Sequence, residues 1–351
     1  LVNHKLARTA FIAALLALTV IGLGAFTRLI DAGLGCPDWP GCYGHLTVPL
    51  TKAAQHVAQI IYAQKQFVGA KAWAEMIHRY FAGTLSLLIL IIMVLVVDPR
   101  SARAGVFPKL NFYLVWGLII LVCYQILLGR WTVTLKLLPI IVTQHLLGGY
   151  LILSSLWLLY LNNKTTPHAL LAIKINRGLK SILIFGLIGL ALVISQIILG
   201  AWTSTNYASL SCPDFPFCHN TGAVLAPQFH QAFRIFSPVG INYDGGLLSA
   251  PARETIQMIH RLGALVVCVY WFVFAAVATI ILRRYAFLLN KLYLILGLIC
   301  VQICLGISNV ILKLPVAIAV LHTLVAVMLL LCVLTFVFRL FQLQREIYQN
   351  D

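Results

Sequence analysis

Residues 75–79 read Glu75-Met76-Ile77-His78-Arg79, and residues 257–261 read Gln257-Met258-Ile259-His260-Arg261. Four of the five positions agree, and each copy opens onto an apolar run, 76–97 in the first case and 256–281 in the second. A mostly apolar stretch of roughly 20 residues is what a helix needs to cross a bilayer. Outward from these two, six more stretches qualify: 8–29, 111–132, 139–161, 181–203, 292–312 and 315–338. Other fragments recur at nearly the same interval. Gly24-Ala25-Phe26-Thr27 returns as Gly200-Ala201-Trp202-Thr203, and Cys36-Pro37-Asp38-Trp39-Pro40-Gly41-Cys42 returns as Cys212-Pro213-Asp214-Phe215-Pro216-Phe217-Cys218, each 176 residues later (24 to 200, 36 to 212). A unit with an even number of spans repeats in the same orientation, about an axis along the membrane normal. The sequence therefore predicts an all-α integral membrane protein whose eight transmembrane helices form two parallel-repeated four-helix bundles. Its units are an N-terminal repeat over 1–162, a cytoplasmic linker over 163–180 and a C-terminal repeat over 181–351.

Composition supports a lipid environment. Of 351 residues 61% are hydrophobic and 10% charged, outside the range of soluble domains. The net charge of +16 does not point to nucleic acid, because the basic residues form no stripe with interleaved aromatics. They gather between apolar runs instead. Lys5 and Arg8, then Arg100, Arg103 and Lys109, then Lys164, Lys174, Arg177 and Lys180, then Arg283, Arg284 and Lys291, and finally Arg339 and Arg345 all fall on one side of the predicted spans. The positive-inside rule makes that side cytoplasmic. Both termini are then inside, and the long loops near 30–75 and 204–255 face outward. The first apolar run reads as a span, not a cleavable leader, since no small-residue cleavage site follows it.

His78, His145, His260 and His322 fall on the second, fourth, sixth and eighth spans, each placed within the first two turns. At 1.5 Å per residue they reach a similar depth, and within each half the two bearing helices run parallel. Polar side chains at that depth are costly and usually functional. Zinc or copper sites draw three or four protein ligands, whereas haem iron needs two axial ligands because the porphyrin fills the other positions. Two facing pairs thus predict two haem sites. His45, His56, His219 and His230 in the long loops, with His4 and His168 on the other side, read as solvated or loop-packing residues. Gln125 to Gly129, Gln196 to Gly200 and Gln302 to Gly306 form a weaker echo that reads as small-residue packing faces.

Around these pairs stand a few charged and sulfur-bearing residues. Arg79 and Arg261 follow a histidine and are candidate propionate partners, with Arg28 and Arg130 as further candidates in the first half; snorkelling to the interface is the competing reading for Arg79 and Arg261. Each Cys-x5-Cys loop lies on the oxidising side and carries turn-forming prolines, so Cys36 with Cys42, and Cys212 with Cys218, are expected to pair as disulfides. Cys123, Cys268, Cys300, Cys304 and Cys332 lie in apolar runs and read as packing residues. The halves differ at Glu75, one of nine acidic residues, whose counterpart is Gln257. A carboxylate one turn from His78 can serve as a base; a dipole-favoured helix-end residue is the alternative.

The motif Glu75-Met76-Ile77-His78-Arg79, the stretch from Thr27-Arg28 to Cys36-Pro37-Asp38-Trp39-Pro40, and the later His145, His260 and His322 together resemble the haem A synthase family along essentially the whole chain. The resemblance implies an inner-membrane enzyme that oxidises a porphyrin methyl group of haem O to a formyl group, giving haem A for a terminal oxidase. It implies that His78 and His145 hold the substrate haem, that His260 and His322 hold a permanent haem b, and that Glu75 is the catalytic carboxylate. Haem O synthase and the assembling terminal oxidase are implied partners, alongside membrane lipid. Two other classes stand against this reading: a dihaem b-type electron-transfer cytochrome, which has no use for Glu75 on one side only, and a transporter with parallel repeats. The transporter would need helices broken at mid-membrane, and the prolines here concentrate at helix ends and in loops.

Overall fold

The computed structural model describes residues 3–63, 66–97, 105–164, 178–218 and 227–350. Arg100, Arg103, Lys174, Arg177, His168, His219 and most of the 163–180 linker lie outside these residues. Ten helices form among the described residues: α1 (His4–Leu29), α2 (Lys52–Ile61), α3 (Gly69–Val97), α4 (Pro108–Thr134), α5 (Pro139–Asn163), α6 (Leu179–Thr205), α7 (Phe229–Ala232), α8 (Ala250–Leu282), α9 (Ala286–Ile311) and α10 (Val316–Asn350). All but α2 and α7 are long and apolar enough to cross a membrane. The protein is thus an all-helical, multi-pass membrane chain.

The helices begin where local chemistry satisfies their free N–H groups. The Asn3 side chain accepts from Leu6 N at 3.0 Å, and Thr51 caps α2 through Ala54 N at 3.2 Å. Pro108 and Pro139 open α4 and α5, positions where a missing N–H costs nothing. At the end remote from the cysteine loops, buried Asn111, Asn162 and Asn163 close a side-chain network, with Asn162 Nδ2 and Asn163 Nδ2 each donating to Asn111 Oδ1 at 2.8 Å. Polar groups this deep persist because they are paired.

Packing closes two rings. α1 and α4 each pack against both α3 and α5, and α6 and α9 each pack against both α8 and α10. The rings meet along α1 with α10, α5 with α6, and α5 with α10. One apolar cluster runs through both, from Leu6, Ala10, Ala13 and Ala17 on α1 to Val333, Phe336 and Leu340 on α10. The alanine stripe lets helix backbones approach closely, the usual basis of helix association in lipid. Backbone shape recurs as well. Asp31 (φ 51°) and Tyr207 (φ 53°) end α1 and α6, while Lys136-Leu137 (φ 50° and 62°) and Lys313-Leu314 (φ 58° and 62°) join α4 to α5 and α9 to α10. Left-handed non-glycine residues are uncommon, so finding them in matching places marks a shared turn geometry.

Two sequence expectations need correction. α3 starts at Gly69 and α8 at Ala250, six or seven residues before the predicted boundaries. His78 and His260 therefore sit nearly three turns into their helices, not within two. The extra turns are short on large apolar residues, but they are buried under loops: Ala72 and Ala252 are fully covered, and Glu75 is 5% exposed. The second correction is α2, a helix inside the first long loop. Its Ala58 packs with Cys36, Cys42, Tyr43, Val48, Ala72 and Met76 to form a lid over the start of α3, whereas Val57, Ile60 and Ile61 are exposed.

Candidate functional site

The four histidines are carried by α3, α5, α8 and α10, the helices at opposite corners of each ring. Each imidazole lies over a glycine on the neighbouring helix. A Cβ placed on Gly24 would stand 3.0 Å from Cε1 of His78, on Gly129 3.4 Å from His145, on Gly200 3.1 Å from His260 and on Gly306 3.3 Å from His322. At Gly24, Gly200 and Gly306 even a Cβ is tight enough that the ring must give by a few tenths of an ångström, while at Gly129 it would just touch. Gly129, Gly200 and Gly306 were legible as a repeated echo but read as a helix-packing face, and Gly24 stood only in the repeated Gly24-Ala25-Phe26-Thr27 fragment. Spacing along one helix does not disclose that the partner at the contact is a ring on another.

In the first ring the pair is brought together. The His78 and His145 ring centres are 6.4 Å apart, with planes at 81°. Two metal–imidazole bonds of about 2 Å, with the roughly 1 Å from each ring centre to its nitrogen, span about 6 Å. The separation thus suits one metal ion held between two imidazoles. Among the described residues no three His, Cys, Asp or Glu side chains converge as a metal cluster, which leaves a two-ligand centre as the arrangement these side chains fit. Nδ1 of His78, His145 and His322 are buried without a hydrogen-bond partner. Buried nitrogens in that condition are costly, and a metal bond to the ring with an acceptor for its other nitrogen relieves the cost.

Two of the three glutamines of the echo reach the rings. Gln196 Nε2 lies 3.1 Å from His260 Nδ1 and donates to the His260 carbonyl at 2.9 Å. Gln302 Nε2 lies 3.2 Å from His322 Nε2. Gly148 and Gly263, each three residues beyond a histidine, leave the space that Gln125 and Gln196 occupy.

Above the rings, Arg79 and Arg261 bind the cysteine loops. Arg79 Nη1 donates to the carbonyls of Asp38 (3.0 Å), Pro40 (3.2 Å) and Gly41, and its Nη2 pairs with Glu75 Oε1. Arg261 Nη1 donates to Asp214 (2.7 Å), Pro216 (3.1 Å) and Phe217 (3.1 Å), and its Nη2 to the Cys212 carbonyl at 2.8 Å. The Cys36 N–H donates to Glu75 Oε2 at 2.8 Å, so the carboxylate joins helix, loop and guanidinium. Sulfurs of Cys36 and Cys42, and of Cys212 and Cys218, stand at disulfide distance, 2.00 Å in each pair. Asp38 tightens the first loop by accepting from Tyr43 N at 2.6 Å and Gly44 N at 2.9 Å. Burial, followed by the charges of Glu75 and Asp38, pushes the Tyr43 phenol up. Gln257, the counterpart of Glu75, is equally buried and its Oε1 has no partner.

The other two arginines point elsewhere. Arg28 Nη2 donates to the Ser204 carbonyl at 2.9 Å, and its guanidinium stacks 3.9 Å from the centre of the Tyr207 ring. It stitches the rings together. Arg130 is exposed at the end of α4. Loop residues His45, His56 and His230 are exposed and are not brought to the histidine pairs.

Comparison with known proteins follows the same outline. The profile of the family COX15-CtaA, described as cytochrome oxidase assembly protein, matches residues 7–334. A protein of Shewanella oneidensis named heme A synthase is 41% identical over 323 residues, covering 91% of both chains. Proteins of the same name from Neorickettsia sennetsu and Parvibaculum lavamentivorans are 25% identical over 340 residues and 26% over 336, covering 91% of this chain and 94% and 90% of theirs.

Proposed function

The chain belongs to the COX15-CtaA family of cytochrome oxidase assembly proteins, and from that premise we propose that it is a haem A synthase, oxidising a porphyrin methyl group of haem O to the formyl group of haem A. The single observation that carries the reading is the opposed pair His78 and His145, 6.4 Å apart, with Glu75 one turn away in this half only. His78 and His145 hold the substrate haem. His260 and His322 hold a resident haem b. When bound, the haems supply the redox-active iron that takes electrons from the substituent.

The chain's own residues do the rest. Taking a methyl group to a formyl group withdraws four electrons and adds one oxygen atom, both exchanged with an external oxidant and oxygen donor such as water, and releases protons for which Glu75 is the acceptor placed. Its oxygens accept from Cys36 N–H and Arg79, bonds that fix the carboxylate one turn from His78. The lid of Ala58, Tyr43, Met76 and the Cys36–Cys42 bridge keeps bulk water from this edge. Exclusion of water strengthens each charge interaction beneath it. The two ring-bearing repeats, 1–162 and 181–351, lie in the inner membrane with both termini cytoplasmic and the cysteine loops, bridged as Cys36–Cys42 and Cys212–Cys218, outside. Haem O enters from the lipid, and the product leaves toward a terminal oxidase under assembly, with haem O synthase as the supplier.

The test is extraction of haem from the purified chain and chromatographic separation. Haem b accompanied by haem O or haem A supports the enzyme. Haem b alone, two per chain, replaces it with a dihaem electron-transfer cytochrome.

A further inference from the structure

A resident haem must stay and a substrate haem must leave, and the side chains behind the imidazoles differ in the way this requires. On α4, α6 and α9 a glutamine stands four residues before the glycine that seats a histidine; on α1 that position is Val20. In the second ring both imidazoles have an amide at a ring nitrogen, Gln196 at His260 Nδ1 and Gln302 at His322 Nε2. Oε1 of both glutamines is buried without a partner, and an amide that turns it to the ring accepts the imidazole N–H and leaves the other ring nitrogen for a metal. In the first ring neither imidazole takes a glutamine bond. A backbone carbonyl at that position is common to both rings, Val20 for His78 and Gln302 for His322, so the side-chain amide is what differs; Gln125, half-buried beside α5, leaves its buried Nε2 without a partner.

We propose that Gln196 and Gln302 are positioning residues that fix the second pair of imidazoles for permanent retention of haem, and that the missing amide bonds at His78 and His145 set the first half for release. This rests on reading the four histidines as haem ligands. An amide can donate through Nε2 or accept through Oε1, so it can serve the N–H of a ligating imidazole. Such a partner holds the ring's tautomer and orientation and raises its basicity as a ligand. Removing it typically costs about 10–100-fold in metal affinity.

The experiment measures haem loss from the purified holo-protein to excess apomyoglobin, with the reduction midpoint of the retained haem as a second readout. Gln196→Met and Gln302→Met keep side-chain length but not the amide. Each should speed loss of the retained haem about tenfold or more and raise its midpoint, because a less basic imidazole stabilises oxidised iron less. Val20→Gln places an amide behind His78 and should slow loss from the first half. It also serves if a methionine variant fails to fold, since it acts in the other ring. Unchanged loss rates and midpoints in folded methionine variants, or a Val20→Gln chain that releases haem as fast as the wild type, overturn the proposal. A wild-type chain that retains no haem in its second half would instead bring down the haem-ligand reading itself.

Discussion

Arg79 and Arg261 hold two loops in matching fashion: the carbonyls of residues 38, 40 and 41 on one side correspond to those of 214, 216 and 217 on the other. The second guanidinium nitrogen breaks the match. Arg79 turns it to the Glu75 carboxylate, whereas Arg261 turns it to the Cys212 carbonyl. Beneath it, Glu75 takes the Cys36 N–H, while Gln257 leaves an oxygen unpaired in a site just as buried. The scaffold is used twice and the ionisable group once. A carboxylate this deep needs charged or N–H partners to be tolerated, and in the first half Arg79 and the Cys36 N–H are turned to it. On this comparison rests the reading of one half as reactive and the other as a holder.

The largest effect should come from the histidines. His260→Ala or His322→Ala is expected to remove the resident haem b completely, while His78→Ala or His145→Ala spares it. Difference spectra of the purified variants decide this. If a folded first-half variant lost haem b as fully, the assignment of halves would be reversed or void.

Next in size is Glu75→Gln, which gives the first half the residue that the second half carries. Gln keeps the reach toward Cys36 N–H but cannot take a proton. Turnover should fall by about 100-fold or more, the scale of losing a general base, with haem b content unchanged. The ratio of haem A to haem O in cells reads it directly. A near-normal ratio would reduce Glu75 to a residue that orients Arg79 and the cysteine loop. A smaller effect is expected from the loops: replacing Cys36 and Cys42 by Ser frees the N–H that Glu75 accepts, and should lower turnover up to about tenfold, the modest end of what misplacing a reacting group costs. The same change at Cys212 and Cys218 should leave turnover intact. Equal losses from both loops would show that bridging serves only general stability.

How far the sequence could carry this comparison depends on the kind of signal. The eight spans were legible because lipid demands long apolar runs, and the repeat was legible because Met-Ile-His-Arg and the cysteine loops recur in order. Glu75 against Gln257 fell out of the same alignment of halves. The polar outer turns of α3 and α8 were not legible, since Ala72 and Glu75 are buried by contacts with α2 and the cysteine loop that no apolar run announces. Nor were the partners of Arg79 and Arg261. Beside a bilayer boundary, snorkelling, propionate binding and loop clamping call for the same residue, and the structure places both guanidiniums on loop carbonyls. The glycine seats lay in plain view as Gly24, Gly129, Gly200 and Gly306, but their meaning belongs to contacts between helices.

The smallest effect tests whether the halves are separate bodies at all. One apolar cluster runs through both rings, so they should unfold together, with polar contacts adding little. Thr143 on α5 and Thr205 on α6 meet across the seam at 3.1 Å. Thr205 Oγ1 also donates to the Trp202 carbonyl at 3.2 Å, so its proton is committed there and Thr143 must be the donor between them. Thr205→Val then strands a buried hydroxyl, while Thr143→Val leaves the Thr205 bond to its own helix in place. The first change should cost more than the second. A double-mutant cycle in detergent unfolding should return a coupling of about 0.6 kcal/mol, the average for hydrogen bonds between membrane helices. Equal single costs would reverse the donor assignment. Two separate unfolding transitions would divide the chain into independent bundles, and a coupling near zero would leave the seam to apolar packing alone.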